Sequence, residues 1–134
     1  MNGGVKMASI IVVVGKQEGD FWPLGRRTTV IGRDEALLVQ ILDDLVSRKH
    51  LKIRWDENTN KYHASDMQSR NGIFINNEKI TGEQILVDGD VISIGGTALL
   101  FVKEDFDNRE SALAHYKKAG ERIRMTLYQP NSPR

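Results

Sequence analysis

The 134 residues carry 19 Lys and Arg against 18 Asp and Glu, a formal charge of +1. No global field therefore draws the chain to nucleic acid or to an anionic membrane, and recognition of an anion has to be local. Hydrophobic residues at 40% and charged residues at 28% fit one folded globular domain with an appendage, and the lack of cysteine excludes disulfides, thiolate nucleophiles and sulfur-ligated zinc together.

Residues 1–7, MNGGVKM, read as a flexible N-terminus. The run ASIIVVV (8–14) is too short to span a membrane, and no small-residue cleavage pattern follows it before Lys16 and Glu18, so it reads as a buried strand. From there to about residue 102, short runs rich in Val, Ile, Phe and Tyr are separated by Gly, Asn and Asp, the pattern of an all-β sandwich or barrel. Strands are predicted over 9–14, 27–32, 38–42, 50–55, 62–66, 73–75, 84–86, 91–95 and 97–102. In 50–55 the alternation is plain: Leu51, Ile53 and Trp55 take one face, and His50, Lys52 and Arg54 the other. DENTNK (56–61), Asn76–Asn77, DGD (88–90) and Gly95–Gly96 supply residues that tolerate positive φ or close side-chain-to-backbone turns.

After Phe101 the texture changes. Asp107 with Glu110 resembles a capping box, and Leu113, Tyr116, Gly120, Ile123 and Leu127 recur at three- and four-residue steps. The spacing predicts a C-terminal α-helix over about 108–127, ended by Pro130 and Pro133. The organisation is thus 1–7 as N-terminus, 8–104 as the β domain, and 105–134 as helix and tail. The helix is expected to dock on the sandwich or on a second copy of itself, a homodimer being one arrangement the sequence leaves open.

Four stretches carry the chemistry: VIGRD (30–34), DDLVSRKH (43–50), SDMQSRNGIFINN (65–77) and LVDGDVISIG (86–95). Their order and spacing resemble the forkhead-associated (FHA) domain, whose signature is Gly-Arg, then Ser-Arg-x-His, then Ser-x-Asn-Gly, with a late Asp-Gly-Asp before an Ile-Gly strand. The resemblance covers about residues 9–103. It implies an FHA-like β-sandwich of about eleven strands, of the SMAD/FHA type, whose loops at one end bind phosphothreonine peptides without catalysis.

The residues support that chemistry on their own terms. A phosphorylated side chain carries about −1.5 to −2 charges and three acceptor oxygens, so its receptor needs cations, hydroxyls and backbone N–H groups on neighbouring loops. Arginine suits the task because its planar fork gives two N–H bonds to one phosphate. The resemblance implies Arg33 and Ser47 as direct phosphate ligands, with Arg48 beside them. Arg70 stands where the family often has a small hydroxyl residue, so its guanidinium either reaches the phosphate or points to solvent. Asn71 is expected to hold the peptide backbone, and His50 to brace the loops behind Arg33 and Ser47. Gly32 and Gly72 are expected where a Cβ would obstruct. Leu45 faces the third ligand residue after phosphothreonine, which predicts an apolar preference there, while Val46 is buried and Asp43 and Asp44 form a turn. Ile73 and Asn77 depart from the family's usual threonine and glycine; asparagine also tolerates positive φ, so the turn at Asn76–Asn77 should survive.

Taken alone, Ser47 with His50 or His63 and a nearby aspartate also admits a nucleophilic reading. No nucleophile elbow or glycine-rich oxyanion loop accompanies it, and His50, His63 and His115 lack metal-ligand spacing. The expectation is therefore a protein without catalysis, cofactor or metal. Its partner would be a phosphothreonine-containing protein, itself the substrate of a Ser/Thr kinase, with no nucleic acid or membrane partner and a cytoplasmic location that leaves the nucleus open. The alternative is a scaffold or oligomerisation module that uses the helix independently of phosphorylation.

Overall fold

In the computed structural model, which describes residues 8–103, 110–112 and 114–118, eleven strands form an all-β sandwich. They are β1 (Ser9–Val14), β2 (Phe21–Pro23), β3 (Thr29–Gly32), β4 (Val39–Gln40), β5 (Leu51–Asp56), β6 (Lys61–Asp66), β7 (Phe74–Ile75), β8 (Glu78–Lys79), β9 (Glu83–Ile85), β10 (Val91–Ile94) and β11 (Thr97–Val102). One sheet has the order β2-β1-β11-β10-β7-β8 and the other β4-β3-β5-β6-β9. The short β3–β4 pairing is parallel, while β3–β5 and β5–β6 are antiparallel.

Strand alternation builds the core. Leu51 and Ile53 of β5 point inward, as do Ile31 of β3, Ala64 of β6, and Ile92 and Ile94 of β10, and all are buried. Lys52 and Arg54 take the outer face, where Arg54 pairs with Glu83 of β9. A one-residue slip in β5 would exchange these sets, so the apolar pattern specifies the register.

Strands β1 and β11 break the alternation because both of their faces are covered. Ile10, Val12, Leu99 and Phe101 belong to the inter-sheet core, whereas Ile11, Val13, Ala98, Leu100 and Val102 pack in a second cluster with Tyr116. A continuous apolar run is the sequence form of a strand buried on both sides. Residues 110–112 and 114–118 are helical, and Ala112 and Tyr116, one turn apart, are buried. Leu113, the remaining apolar positions of the predicted stripe, Asp107 and the tail prolines lie outside the described residues, as does the N-terminal segment 1–7. The helix thus lays Tyr116 on the outer face of its own six-stranded sheet. Tyr116→Ala is expected to destabilise the domain by about 2 kcal/mol, the worth of one buried large side chain; urea unfolding checks it.

Two strands were not predicted. Phe21–Pro23 pairs with β1, and Glu78–Lys79 pairs with β7. Neither has an alternating apolar pattern, and Glu78 and Lys79 are both exposed. The predicted strand over 38–42 shortens to Val39–Gln40, and 27–32 begins at Thr29. The departure at Asn77 is accommodated as expected: Asn76 and Asn77 have φ of 52° and 72°, the paired positive values of a two-residue hairpin turn. Asn76 also bonds to Asp90 Oδ1, so the DGD turn and the β7–β8 hairpin hold each other.

Candidate functional site

The loops between β3 and β4, β4 and β5, and β6 and β7 meet at one end of the sandwich. Their meeting depends first on Gly32. A Cβ there would lie 2.0 Å from the carbonyl oxygen of Arg48 and 2.9 Å from that of Ser47. This absence of a side chain lets the β4–β5 loop run against the end of β3, where Arg33 N–H donates to Ser47 O at 3.0 Å and Asp34 N–H to Arg48 O at 3.2 Å.

Arg33, at the end of β3, is exposed. Its Nε–H donates to the carbonyl of Val46 at 2.9 Å, which fixes the plane of the guanidinium and leaves the terminal N–H groups directed elsewhere. Ser47 Oγ accepts the backbone N–H of Arg70 at 3.0 Å, so the hydroxyl keeps its own hydrogen for donation. Asn71 Nδ2 donates to the carbonyl of Leu45 at 2.8 Å and retains an amide oxygen and a second N–H. Two side chains from two other loops, those of Arg33 and Asn71, are thus tied to the backbone just before Ser47, whose own hydroxyl takes the Arg70 N–H from the β6–β7 loop.

His50 lies behind this surface and is fully buried. Its Nδ1 accepts the N–H of Ser47 at 3.0 Å, and its Nε2 is 2.7 Å from the carbonyl of Gly72. A carbonyl can only accept, so the ring is the Nε2–H tautomer and joins the β4–β5 and β6–β7 loops. Both nitrogens are taken by backbone groups, which leaves none to activate Ser47. His63 instead stands on β6 opposite Arg54, 3.5 Å from Asp56 and 3.6 Å from Glu83. Neither histidine of the nucleophilic reading is therefore placed as a base for Ser47.

Gly32 and Gly72 serve different physical needs. Gly32 makes room for backbone, whereas Gly72 adopts φ of 77°, a conformation that side chains rarely take. Asn71 does not share a positive φ, and residue 72 connects strands of opposite sheets, so Asn71–Gly72 is no hairpin turn. The Gly72 N–H donates to Ser69 Oγ at 2.9 Å, and Ser69 N–H donates in turn to Asp66.

Arg48, Arg70 and Leu45 complete the set of residues singled out in the sequence, and all three are exposed. Arg48 lines an open depression with Arg33, Asp34, Glu35 and Gln40. For Arg70 the bond just described comes from its backbone. Leu45 is 58% exposed, a large apolar side chain held on a loop, while Val46 is buried as expected.

Asp43 does more than turn the chain. Its Oδ1 accepts the N–H of Leu45 at 2.9 Å, and its Oδ2 accepts the N–H of Gly96 and the hydroxyl of Thr97, each at 2.8 Å. Burial works against the charged form, but the bonds from Leu45, Thr97 and Gly96 and the charge of Lys16 outweigh it and hold the carboxyl below its ordinary value. A carboxylate so placed clamps the loop to the β10–β11 turn. The neighbouring Asp-Asp pair in the sequence signals a turn but not this distant partner.

Among the described residues no group of His, Asp or Glu is arranged to hold a metal ion, and no helix is long and apolar enough to cross a membrane. Residues 29–95, half of the chain, match the model of the FHA domain. Over 92 residues the chain is 33% identical to the FHA domain-containing protein FhaA of Mycobacterium tuberculosis, a match that covers 69% of this chain and 17% of that one. Over 95 residues it is 33% identical to the oxoglutarate dehydrogenase inhibitor of Corynebacterium efficiens, covering 71% of this chain and 65% of the relative. The chain therefore spans less than two thirds of either relative. A solved structure described as an analysis of phosphothreonine-dependent FHA domain interactions superposes with a TM-score of 0.65 at 29% identity, over 75% of this chain and 99% of that one. Sandwich, ordered motifs and family match fall on the same stretch of sequence, and the chain belongs to the FHA-domain family.

Proposed function

We propose that this domain is a regulatory binding module that recognises phosphothreonine in a partner protein, the product of a Ser/Thr kinase, through the loops at one end of its sandwich. The observation that carries the reading is that Arg33 and Asn71 are held on the carbonyls of Val46 and Leu45, beside a Ser47 hydroxyl that accepts the Arg70 N–H, each with a donor left unspent. Arg33 and Ser47 bind the phosphate, Asn71 holds the ligand backbone, and Arg48 and Arg70 add charge at the rim. Leu45 contacts an apolar ligand residue, the third after the phosphothreonine. The relatives support the reading through what is said of them: one is an inhibitor, and one solved neighbour is described by phosphothreonine-dependent interactions.

Phosphate contacts alone do not suffice. Four or five charge-assisted hydrogen bonds at roughly 2 kcal/mol each give about 8 to 10 kcal/mol, from which association removes at least about 4. Micromolar affinity needs about −8 kcal/mol. Asn71 and Leu45 make up the difference, and the module acts without catalysis or cofactor, in the cytoplasm. Its unit is residues 8–104, with 105–134 as helix and tail.

Calorimetric titration with matched phosphothreonine and unmodified peptides tests this. The phosphorylated peptide is expected to bind at least about a hundredfold more tightly, and Ser47→Ala to lose about tenfold of that preference, one charge-assisted bond. Equal binding of the two peptides would sink the reading. It would favour the alternative of a scaffold using the C-terminal helix, although Tyr116 already commits one face of that helix to the chain's own sheet.

A further inference from the structure

Strand β4 is an edge of the five-stranded sheet. Ile41 N–H turns inward to Gly32 O at 2.7 Å, so the backbone groups of Gln40 and Leu42 face away from the sheet. They are not left to solvent. Gln17, in the loop between β1 and β2 of the other sheet, donates from Nε2 to Gln40 O at 2.9 Å and accepts Leu42 N–H at Oε1 at 2.7 Å. A side-chain amide has the donor and acceptor of a peptide group, and here it substitutes for the missing neighbouring strand. The reverse orientation of the amide would set donor against donor and acceptor against acceptor.

Both anchored residues lead to the phosphate loops. Gln40 Nε2 donates to Arg33 O at 3.1 Å, while Leu42 immediately precedes Asp43, whose carboxylate holds Leu45. The carbonyls of Leu45 and Val46 in turn hold Asn71 and Arg33. The adjacent Lys16 adds its charge to the support of Asp43.

Resting on the phosphopeptide reading, we infer that Gln17 is a positioning residue for phosphate recognition: through Gln40 and Leu42 it fixes Arg33 and the loop that carries Ser47, without touching the ligand. The role belongs to a loop outside every FHA signature stretch.

The test uses the full chain and a phosphothreonine peptide selected from a library on the wild-type protein. Gln17→Ala and the length-preserving Gln17→Met are each expected to weaken binding by about threefold to tenfold, the worth of one net hydrogen bond. The Leu42 amide is expected to exchange faster with solvent in both. In an Arg33→Lys background the loss caused by Gln17→Ala should shrink, because the two act through one geometry. Unchanged affinity in both variants, or an undiminished loss in the Arg33→Lys background, overturns the inference. If the wild type does not distinguish phosphorylated from unmodified peptide, the ligand assignment itself fails; unchanged exchange at Leu42 is the separate result that removes Gln17 from the support of the loop.

Discussion

Arg33→Ala is expected to reduce affinity for a phosphothreonine peptide by at least about a hundredfold while leaving the fold intact. The substitution removes the terminal N–H donors that the proposed function assigns to the phosphate, and hydrogen bonds to charged groups contribute about 1.5 to 3 kcal/mol each. Two such bonds correspond to roughly a hundredfold or more in dissociation constant. The side chain is exposed, and its bond to Val46 O is replaceable by water, so the stability cost should stay within about 1 kcal/mol. Arg33→Lys separates charge from geometry. It keeps the cation but loses the planar fork, and an intermediate loss of about tenfold is expected. Titration calorimetry on the three proteins decides the matter, and an Arg33→Ala protein that binds within about threefold of wild type would remove Arg33 from the phosphate site.

Gly32→Ala is expected to act one residue away by a different route, through the fold. The new Cβ would meet the Arg48 carbonyl oxygen at 2.0 Å and its carbon at 2.7 Å, both backbone atoms with no rotamer to yield. The loop has to move off β3, and the bonds from Arg33 N–H to Ser47 O and from Asp34 N–H to Arg48 O stretch or break. Overpacking costs about 1 to 3 kcal/mol and each lost bond about 1 more. A total of about 3 to 5 kcal/mol is a large share of a stability of about 5 to 15. Urea unfolding should show a much lower midpoint with an unchanged slope. Phosphopeptide binding should fall with it, since Ser47 sits on the displaced loop. A Gly32→Ala protein that unfolds at the wild-type midpoint would mean that the loop has room to retreat. The pair of substitutions thus separates a residue proposed to meet the ligand from one that makes room for the loop.

The candidate site was legible where its chemistry is local. DDLVSRKH announces a loop entering a strand, and the alternation of Leu51 and Ile53 after it gives the inward face. Gly32–Arg33 and Asn71–Gly72 supply types that a phosphate receptor uses. What they touch was not legible. Asp43 reads as a turn residue, and only the fold brings Gly96 and Thr97 to its carboxylate. Gln17 is a polar loop residue with no motif about it. It acquires a role because the β1–β2 loop of one sheet folds against the edge of the other.

The same division runs through the sandwich. By itself the sequence determined the class, most strands, the apolar face of β5 and the positive-φ turn at Asn76–Asn77, because alternation and turn chemistry are properties of neighbouring residues. Tertiary structure alone decided β2 and β8, whose short runs are strands only by virtue of pairing with β1 and β7. It also decided why ASIIVVV carries no polar face, since Tyr116 covers the side of β1 that the second sheet does not. The physical reason is common to these cases. A pattern within one strand records which faces are buried, but it does not name the distant residue that covers a face or bonds to an edge.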